Sequence, residues 1–286
     1  MITYRYYQED ALKAITDNIG TQGNDLVVLP TGAGKSIVIS GVAKHIDSDV
    51  LILQPSKEIL EQNASKLAMY VDPDDIGIYS ASLDSKEIKK YTFATIGSIY
   101  TKPELFNHFK VVLIDECHSM NPKDTGSMFS SFIKGIGNPK VIGFTATPYR
   151  NMTGYHKISK DELKASVTLK LICRIQPQFW ARIIYNINNA ELVEKGYLTP
   201  IRYTDASLVK QEEIPLNKNE SDFDIEKYDN LIMSKHERLI ETIKNAAETH
   251  TAVLVFTTTL ASAARLSEQF ENSASLSSKM PKKERE

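Results

Sequence analysis

Two segments of the chain carry residues whose types and spacing could do chemistry. The first is Leu26-Val27-Val28-Leu29-Pro30-Thr31-Gly32-Ala33-Gly34-Lys35-Ser36. An apolar run leads into a glycine-containing loop and then into a helical pattern. Glycines let backbone N–H groups approach an anion closely, and a helix N-terminus adds unpaired N–H groups and the positive end of its dipole. Lys35 would reach the β and γ phosphates of a nucleotide, and the Ser36 hydroxyl would ligate Mg²⁺. The general form of such a loop has glycine where Leu29 stands. The second segment is Val111-Val112-Leu113-Ile114-Asp115-Glu116-Cys117-His118, an apolar run ending in adjacent carboxylates. Ligands of open α/β sheets sit at the carboxyl ends of strands. Asp115 is thus placed to hold Mg²⁺ through water, and Glu116 to polarise an attacking water as general base. A glycine-rich turn and an exposed acidic turn are the alternatives; strand, loop and helix in this order favour the phosphate chemistry. One cysteine and one histidine make no metal site, so Cys117 reads as a small buried packing residue.

The elements that must position these residues are legible as short apolar runs. Leu26–Leu29, Val50–Leu53, Val111–Ile114 and Val141–Phe144 do not alternate apolar with polar, as expected of strands buried on both faces of a parallel sheet. Tyr7, Ala11, Ile15 and Ile19 recur at helical spacing ahead of the first run. Ile37, Val38, Val42 and Ile46 do so after Gly34. Strands alternating with helices predict an α/β domain. The pattern breaks near Asn151, and the polar residues 151–165 read as a hinge followed by a helical segment. Glu191–Gly196 reads as a helix closed by glycine, Tyr197–Tyr203 as the start of a strand, and the acid-rich 211–226 as a solvated loop. Ala252–Phe256 begins a second α/β unit, with Leu260, Ala264, Leu266 and Phe270 on the helix after it.

Composition narrows the class. The chain has 286 residues, 42% hydrophobic and 24% charged, with a formal net charge of −2. That length suggests about two domains. No global basic field announces a nucleic-acid partner, so any such partner must meet a local groove. Cys117 and Cys173 are the only cysteines, too few for a disulfide framework or a zinc spacing, which fits a reducing cytoplasm. No apolar run approaches membrane-spanning length, and the first ten residues lack a signal-peptide pattern.

With these motifs in order, the chain resembles the superfamily 2 helicases, DEAD/DEAH-like in the DECH form. Asp115-Glu116-Cys117-His118 resembles their motif II, Pro30–Ser36 their motif I, and Thr145-Ala146-Thr147-Pro148 their motif III. Arg5-Tyr6-Tyr7-Gln8 is similar to the adenine-reading segment ahead of motif I, with Gln8 on the base. Gln54-Pro55-Ser56-Lys57-Glu58-Ile59-Leu60 resembles motif Ia, Thr95-Ile96-Gly97-Ser98 motif Ib, and Leu254-Val255-Phe256 motif IV. DECH together with Gly196-Tyr197-Leu198-Thr199-Pro200 is closest to the RadD-type DNA-repair helicases of bacteria and phages.

The resemblance implies an α/β, RecA-like P-loop NTPase domain over residues 1–165. Residues 166–286 are then linker and the incomplete start of a second RecA-like domain, ending before motifs V and VI. It implies ATP and Mg²⁺, with ATP held by Arg5, Gln8, Pro30, Thr31, Gly32, Ala33, Gly34, Lys35 and Ser36. Mg²⁺ falls to Ser36 and Asp115, and catalysis to Glu116 and Lys35. His118, Thr145 and Thr147 would couple nucleotide state to domain movement, although a lone histidine can be incidental. Ser56, Lys57, Thr95, Gly97 and Ser98 would hold the phosphates of one nucleic-acid strand, more readily DNA and without sequence specificity; the alternative is that they cap helices and close turns. Phe179 and Trp180 could stack on bases but read as core. The expected activity is an ATP-driven helicase or translocase in bacterial or phage-infected cytoplasm, with this chain binding ATP and turning it over poorly. The rivals are an ATP-switched clamp that unwinds nothing, the motor subunit of a restriction complex, and an ordinary P-loop kinase.

Overall fold

The computed structural model describes residues 3–46, 48–120, 128–157, 163–203, 207–210, 213–215, 217, 223–277 and 280, without the side chains of 151–157 and 163–167. The chain forms two compact units, Met1–Pro200 and Ile201–Glu286.

The first unit is built on an eight-stranded sheet. Its strands are β1 (Asn24–Val28), β2 (Val50–Leu53), β3 (Ile76–Ser80), β4 (Ser85–Lys86), β5 (Tyr91–Ala94), β6 (Val111–Ile114), β7 (Lys140–Thr145) and β10 (Trp180–Asn186). They lie in the order β10-β1-β7-β6-β2-β5-β3-β4. Every pairing is parallel except β3 with β4. The non-alternating apolar runs have a direct cause. Successive residues of β2 and β6 point into two different cores: Val50, Ile52, Val111 and Leu113 into one, Leu51, Leu53, Val112 and Ile114 into the other. Helices α1 (Tyr6–Asn18), α2 (Lys35–His45) and α3 (Lys57–Leu67) cover the first core through Tyr7, Ala11, Ile15, Val38, Val42, Leu60 and Leu67. The short α4 (Ile96–Ile99) and α5 (Met128–Gly135) help cover the second through Ile99, Phe132 and Ile133. Each fully buried aliphatic or aromatic side chain contributes about 1.5–3 kcal/mol.

Strand order places the chemistry. β1, β7, β6, β2 and β5 are consecutive neighbours and parallel. Their carboxyl ends therefore bring Leu29–Ser36, Thr145–Thr147, Asp115–His118, Gln54–Lys57 and Thr95–Ser98 to one edge, in that spatial order. At the opposite edge Asp25, fully buried on β1, pairs with Lys140 Nζ at 2.7 Å and Arg182 Nε at 3.0 Å. This ion cluster joins the three adjacent strands β10, β1 and β7.

Between Thr145 and Pro200 the structure departs from expectation. The polar stretch after Asn151 is no hinge: β8 (Tyr149–Lys157) and β9 (Leu163–Leu171) form a two-stranded antiparallel ribbon. Residues 158–162 lie outside the described part. The helical segment expected after the ribbon is a single 3-10 turn, Ile172–Arg174. The chain then returns as β10 and adds to β1, with Trp180 fully buried and Phe179 packed against the same core. That return is why the first unit runs to Pro200 rather than ending near residue 165. Helix α6 (Asn189–Glu194) stops as expected, with Gly196 at φ +72°, but Tyr197–Tyr203 forms no strand.

Among its described residues the second unit holds α7 (Ile225–Ser234), α8 (His236–Thr249) and α9 (Leu260–Ser267). Asp229 of α7 accepts hydrogen bonds from Thr258, Thr259 and Ser262 at the N-terminus of α9, where the helix dipole favours a negative charge. Ala252–Phe256, expected as a strand, is unpaired there, with Leu254 and Phe256 exposed. Half of the acid-rich 211–226 falls outside the described residues.

Candidate functional site

The site assembles at the carboxyl edge from three adjacent strand ends. After β1 the chain passes buried Leu29 and Pro30 and exposed Thr31, then turns through Gly32 (φ +83°) and Gly34 (φ +82°) into α2. Only glycine adopts this backbone without strain. A Cβ at Gly34 would also lie 2.7 Å from Gln8 Nε2. Leu29 occupies its position because it is core, fully buried against α1 and α2. Lys35 and Ser36 open α2, where the first N–H groups have no intrahelical partner.

The loop is braced from α1. Gln8, almost fully buried, accepts from the Arg5 N–H at 3.0 Å and donates to the Ala33 carbonyl at 3.0 Å. Tyr7 donates to the same carbonyl at 3.0 Å, and Arg5 Nη1 donates to the Tyr7 hydroxyl at 3.0 Å. The Arg5 guanidinium lies 4.9 Å over the Tyr197 ring. Both ends of the Gln8 amide are thus engaged with the chain itself, each keeping one further hydrogen-bonding position. The sequence puts Tyr7 on the helical stripe and within the Arg5–Gln8 segment, but does not show the bracing of the loop by its hydroxyl.

β6 ends in Asp115, and Glu116 takes a left-handed backbone (φ 47°, ψ 44°). Non-glycine residues rarely adopt this conformation, and it is found where the surroundings impose it. The turn sends the Glu116 carboxylate to Lys35 Nζ at 2.6 Å and to His118 Nδ1 at 3.3 Å. His118 Nδ1 also meets Thr145 Oγ1 at 2.9 Å, and that oxygen accepts from the Thr147 N–H at 3.0 Å. A continuous polar chain therefore runs Lys35–Glu116–His118–Thr145–Thr147 across the ends of β1, β6 and β7. Asp115 is buried, its Oδ1 taking the Glu116 N–H at 3.0 Å and its Oδ2 the Asn63 amide at 3.4 Å. Burial holds the Asp115 carboxyl above its ordinary range, against the pull of Lys35. Cys117 is fully buried, as expected, and burial with Glu116 and Asp115 alongside pushes its thiol well up. It packs where Gly143 of β7 leaves room: a Cβ there would lie 2.7 Å from Cys117 Sγ and 2.5 Å from Trp180 Cη2.

The residue types fit a magnesium nucleotide. Ser36 and Asp115 offer the hard oxygen donors such a cation takes. Lys35 supplies a cation beside the loop, and the Gly34 cradle has no room for a side chain.

Farther along the edge, Ser56 caps α3 by accepting from the Ile59 N–H at 3.4 Å. Thr95 Oγ1 meets Ser98 Oγ at 2.8 Å, and Ser98 Oγ accepts from the Ala81 N–H at 2.9 Å. These hydroxyls thus cap a helix and close a turn, while Lys57 and Gly97 are exposed at the same edge.

The chain is similar to several known proteins. The family described as type III restriction enzyme, res subunit, matches residues 1–150. The chain is 32% identical over 158 residues to the DNA 3′-5′ translocase XPB2 of Sulfurisphaera tokodaii, covering 55% of this chain and 33% of that protein. It is 33% identical over 125 residues to the DNA 3′-5′ helicase XPB of Kineococcus radiotolerans, covering 40% and 21%. Among solved structures, the UvsW helicase of bacteriophage T4 aligns at 23% identity and a TM-score of 0.43, covering 51% of this chain and 54% of that one. The chain spans between about a fifth and a third of the length of the curated relatives it matches. With 150 of its 286 residues matched, the chain belongs to the type III restriction enzyme res-subunit family, within the superfamily 2 helicases.

Proposed function

We propose that this chain carries the ATP-binding lobe of a DNA helicase or translocase, and that ATP hydrolysis at the Lys35–Glu116 site drives movement along one strand. The observation that carries this reading is the polar chain from Lys35 through Glu116 and His118 to Thr145. It links the phosphate loop to the strand end that continues toward Pro148 and the β8–β9 ribbon. Matches to proteins named as DNA translocase and DNA helicase support DNA as the track. DECH with Gly196–Pro200, similar to RadD-type enzymes, supports a repair setting. Residues 201–286 then belong to a second RecA-like lobe.

In this reading ATP lies on Pro30–Ser36 with its base toward Arg5 and Gln8. Ser36 and Asp115 would hold Mg²⁺, which would neutralise charge on the phosphate oxygens. Lys35 leaves its pairing with Glu116 to take the β and γ phosphates. Glu116, freed of that ion pair, accepts a proton from the water that attacks the γ phosphorus as the bond to ADP breaks. His118 reports the change at Glu116 to Thr145 and Thr147. Lys57, with backbone and hydroxyl groups of Ser56, Thr95, Gly97 and Ser98, holds strand phosphates. The test is ATP turnover with single-stranded DNA, duplex DNA, forked DNA, RNA and no nucleic acid. Stimulation by DNA supports the reading; turnover indifferent to every nucleic acid returns the chain to the phosphotransferases. The family description favours one second reading, the motor of a restriction complex; ATP-dependent DNA cleavage would establish it. Turnover with DNA but no strand separation or movement would leave an ATP-switched clamp.

A further inference from the structure

Helix α3 buries Leu60, Asn63, Ala64 and Leu67, an i, i+3, i+4, i+7 stripe in which one member is polar. Asn63 is only 1% exposed. Its Nδ2 donates to Asp115 Oδ2 at 3.4 Å, and its Oδ1 has no hydrogen-bond partner. One strand over, Gln54 follows the end of β2, which pairs Leu53 with Ile114, so Gln54 stands level with Asp115 along the sheet edge. Gln54 is 3% exposed and neither atom of its side-chain amide has a partner. Two carboxamides with three unpaired polar atoms are thus buried beside one carboxylate. Unpaired buried amides cost stability, and a leucine at position 63 would complete the stripe without that cost. The arrangement therefore serves Asp115 rather than the packing of α3.

We propose that Asn63 is a positioning residue for Asp115: it holds Oδ2 while the Glu116 amide holds Oδ1, fixing the plane in which the carboxylate meets the water shell of Mg²⁺. The unpaired Asn63 Oδ1 and Gln54 amide would be available as further hydrogen-bonding groups to that water. This rests on the reading of Asp115 as a magnesium ligand given above. Groups that orient a metal-binding carboxylate set metal affinity by about ten- to a hundredfold.

The test is the Mg²⁺ concentration needed for half-maximal binding of a fluorescent ADP analogue, titrated with MgCl₂ in wild type, Asn63→Ala and Asn63→Ser, with binding in EDTA as reference. The expected result is a rise of about tenfold or more in both variants, with binding in EDTA unchanged. In an Asp115→Ala background the Asn63 substitutions should add nothing, because Asn63 acts through that carboxylate. Melting temperatures identify any variant that fails to fold; the serine variant, small and polar, stands in for alanine if that one does. An unchanged Mg²⁺ requirement in a folded Asn63 variant overturns the proposal. So does an equal rise in the Asp115→Ala background. A wild type whose ADP-analogue binding ignores Mg²⁺ defeats the reading of Asp115 itself, a distinguishable outcome.

Discussion

His118 Nδ1 and Thr145 Oγ1 lie 2.9 Å apart although 27 residues separate them. β6 and β7 are neighbours, so the residues just past their ends are held side by side whatever lies between. The same Thr145 oxygen accepts the Thr147 N–H, which makes it the fixed point of the turn leaving β7. Thr145→Val keeps the shape and volume of this fully buried side chain and removes the oxygen. We expect nucleotide affinity within about twofold of wild type and DNA-stimulated turnover down by about tenfold, roughly one lost hydrogen bond. Stopped-flow nucleotide binding beside steady-state ATPase separates the two. Equal loss of binding and turnover would place Thr145 in nucleotide binding instead.

Lys57 is the exposed cation at the end of β2, on the first turn of α3. If it pairs with a strand phosphate, Lys57→Ala weakens binding to all single-stranded sequences about equally. The slope of log affinity against log salt then flattens by up to roughly 0.7. Fluorescence anisotropy with two unrelated oligonucleotides across a salt series measures both. Unchanged affinity and slope would make Lys57 a solvated helix residue.

Gly143 lies in the middle of β7 under the Trp180 ring. Gly143→Ala would press a methyl to within 2.5 Å of Trp180 Cη2 and 2.7 Å of Cys117 Sγ. Neither neighbour is the free end of a flexible chain: both are fully buried. Overpacking of this kind costs about 1–3 kcal/mol. Urea denaturation should show it as a lower midpoint at unchanged slope, and an unshifted midpoint would mean that the Trp180 ring does not pack over Gly143 in solution.

The core of the fold was legible because β1, β2, β6 and β7 are buried on both faces, which compresses each into an uninterrupted apolar run. The phosphate loop was legible because Gly32, Gly34, Lys35 and Ser36 are constrained locally by one turn. The β8–β9 ribbon was not: among the described residues its two strands pair with each other rather than with the main sheet, and their polar sequence reads as a hinge. β10 was missed for a related reason. As the edge strand it is exposed at Ala181 and Arg182, and its register with β1 is irregular. The contact of Asn63 with Asp115 spans 52 residues, and nothing in the local spacing of α3 announces it. Ser56, Thr95 and Ser98 show the converse. Their residue types allow phosphate contact and capping equally, and the structure engages all three within the chain.

The central claim is that Lys35 binds the phosphates and Glu116 does the proton chemistry. Their 2.6 Å ion pair gives the claim a sharp consequence. Glu116 competes with phosphate for the Lys35 ammonium, so removing its charge should help binding while ending turnover. The measurement is the equilibrium affinity for Mg²⁺–ATP of wild type, Lys35→Ala and Glu116→Gln, by fluorescence titration, with ATP turnover recorded alongside. Losing a charged hydrogen bond of about 1.5–3 kcal/mol predicts an affinity for Lys35→Ala roughly ten- to a hundredfold weaker. Glu116→Gln should bind as tightly as wild type or tighter, and hydrolyse no ATP. Equal weakening in both variants, or turnover retained in Glu116→Gln, would contradict the assignment.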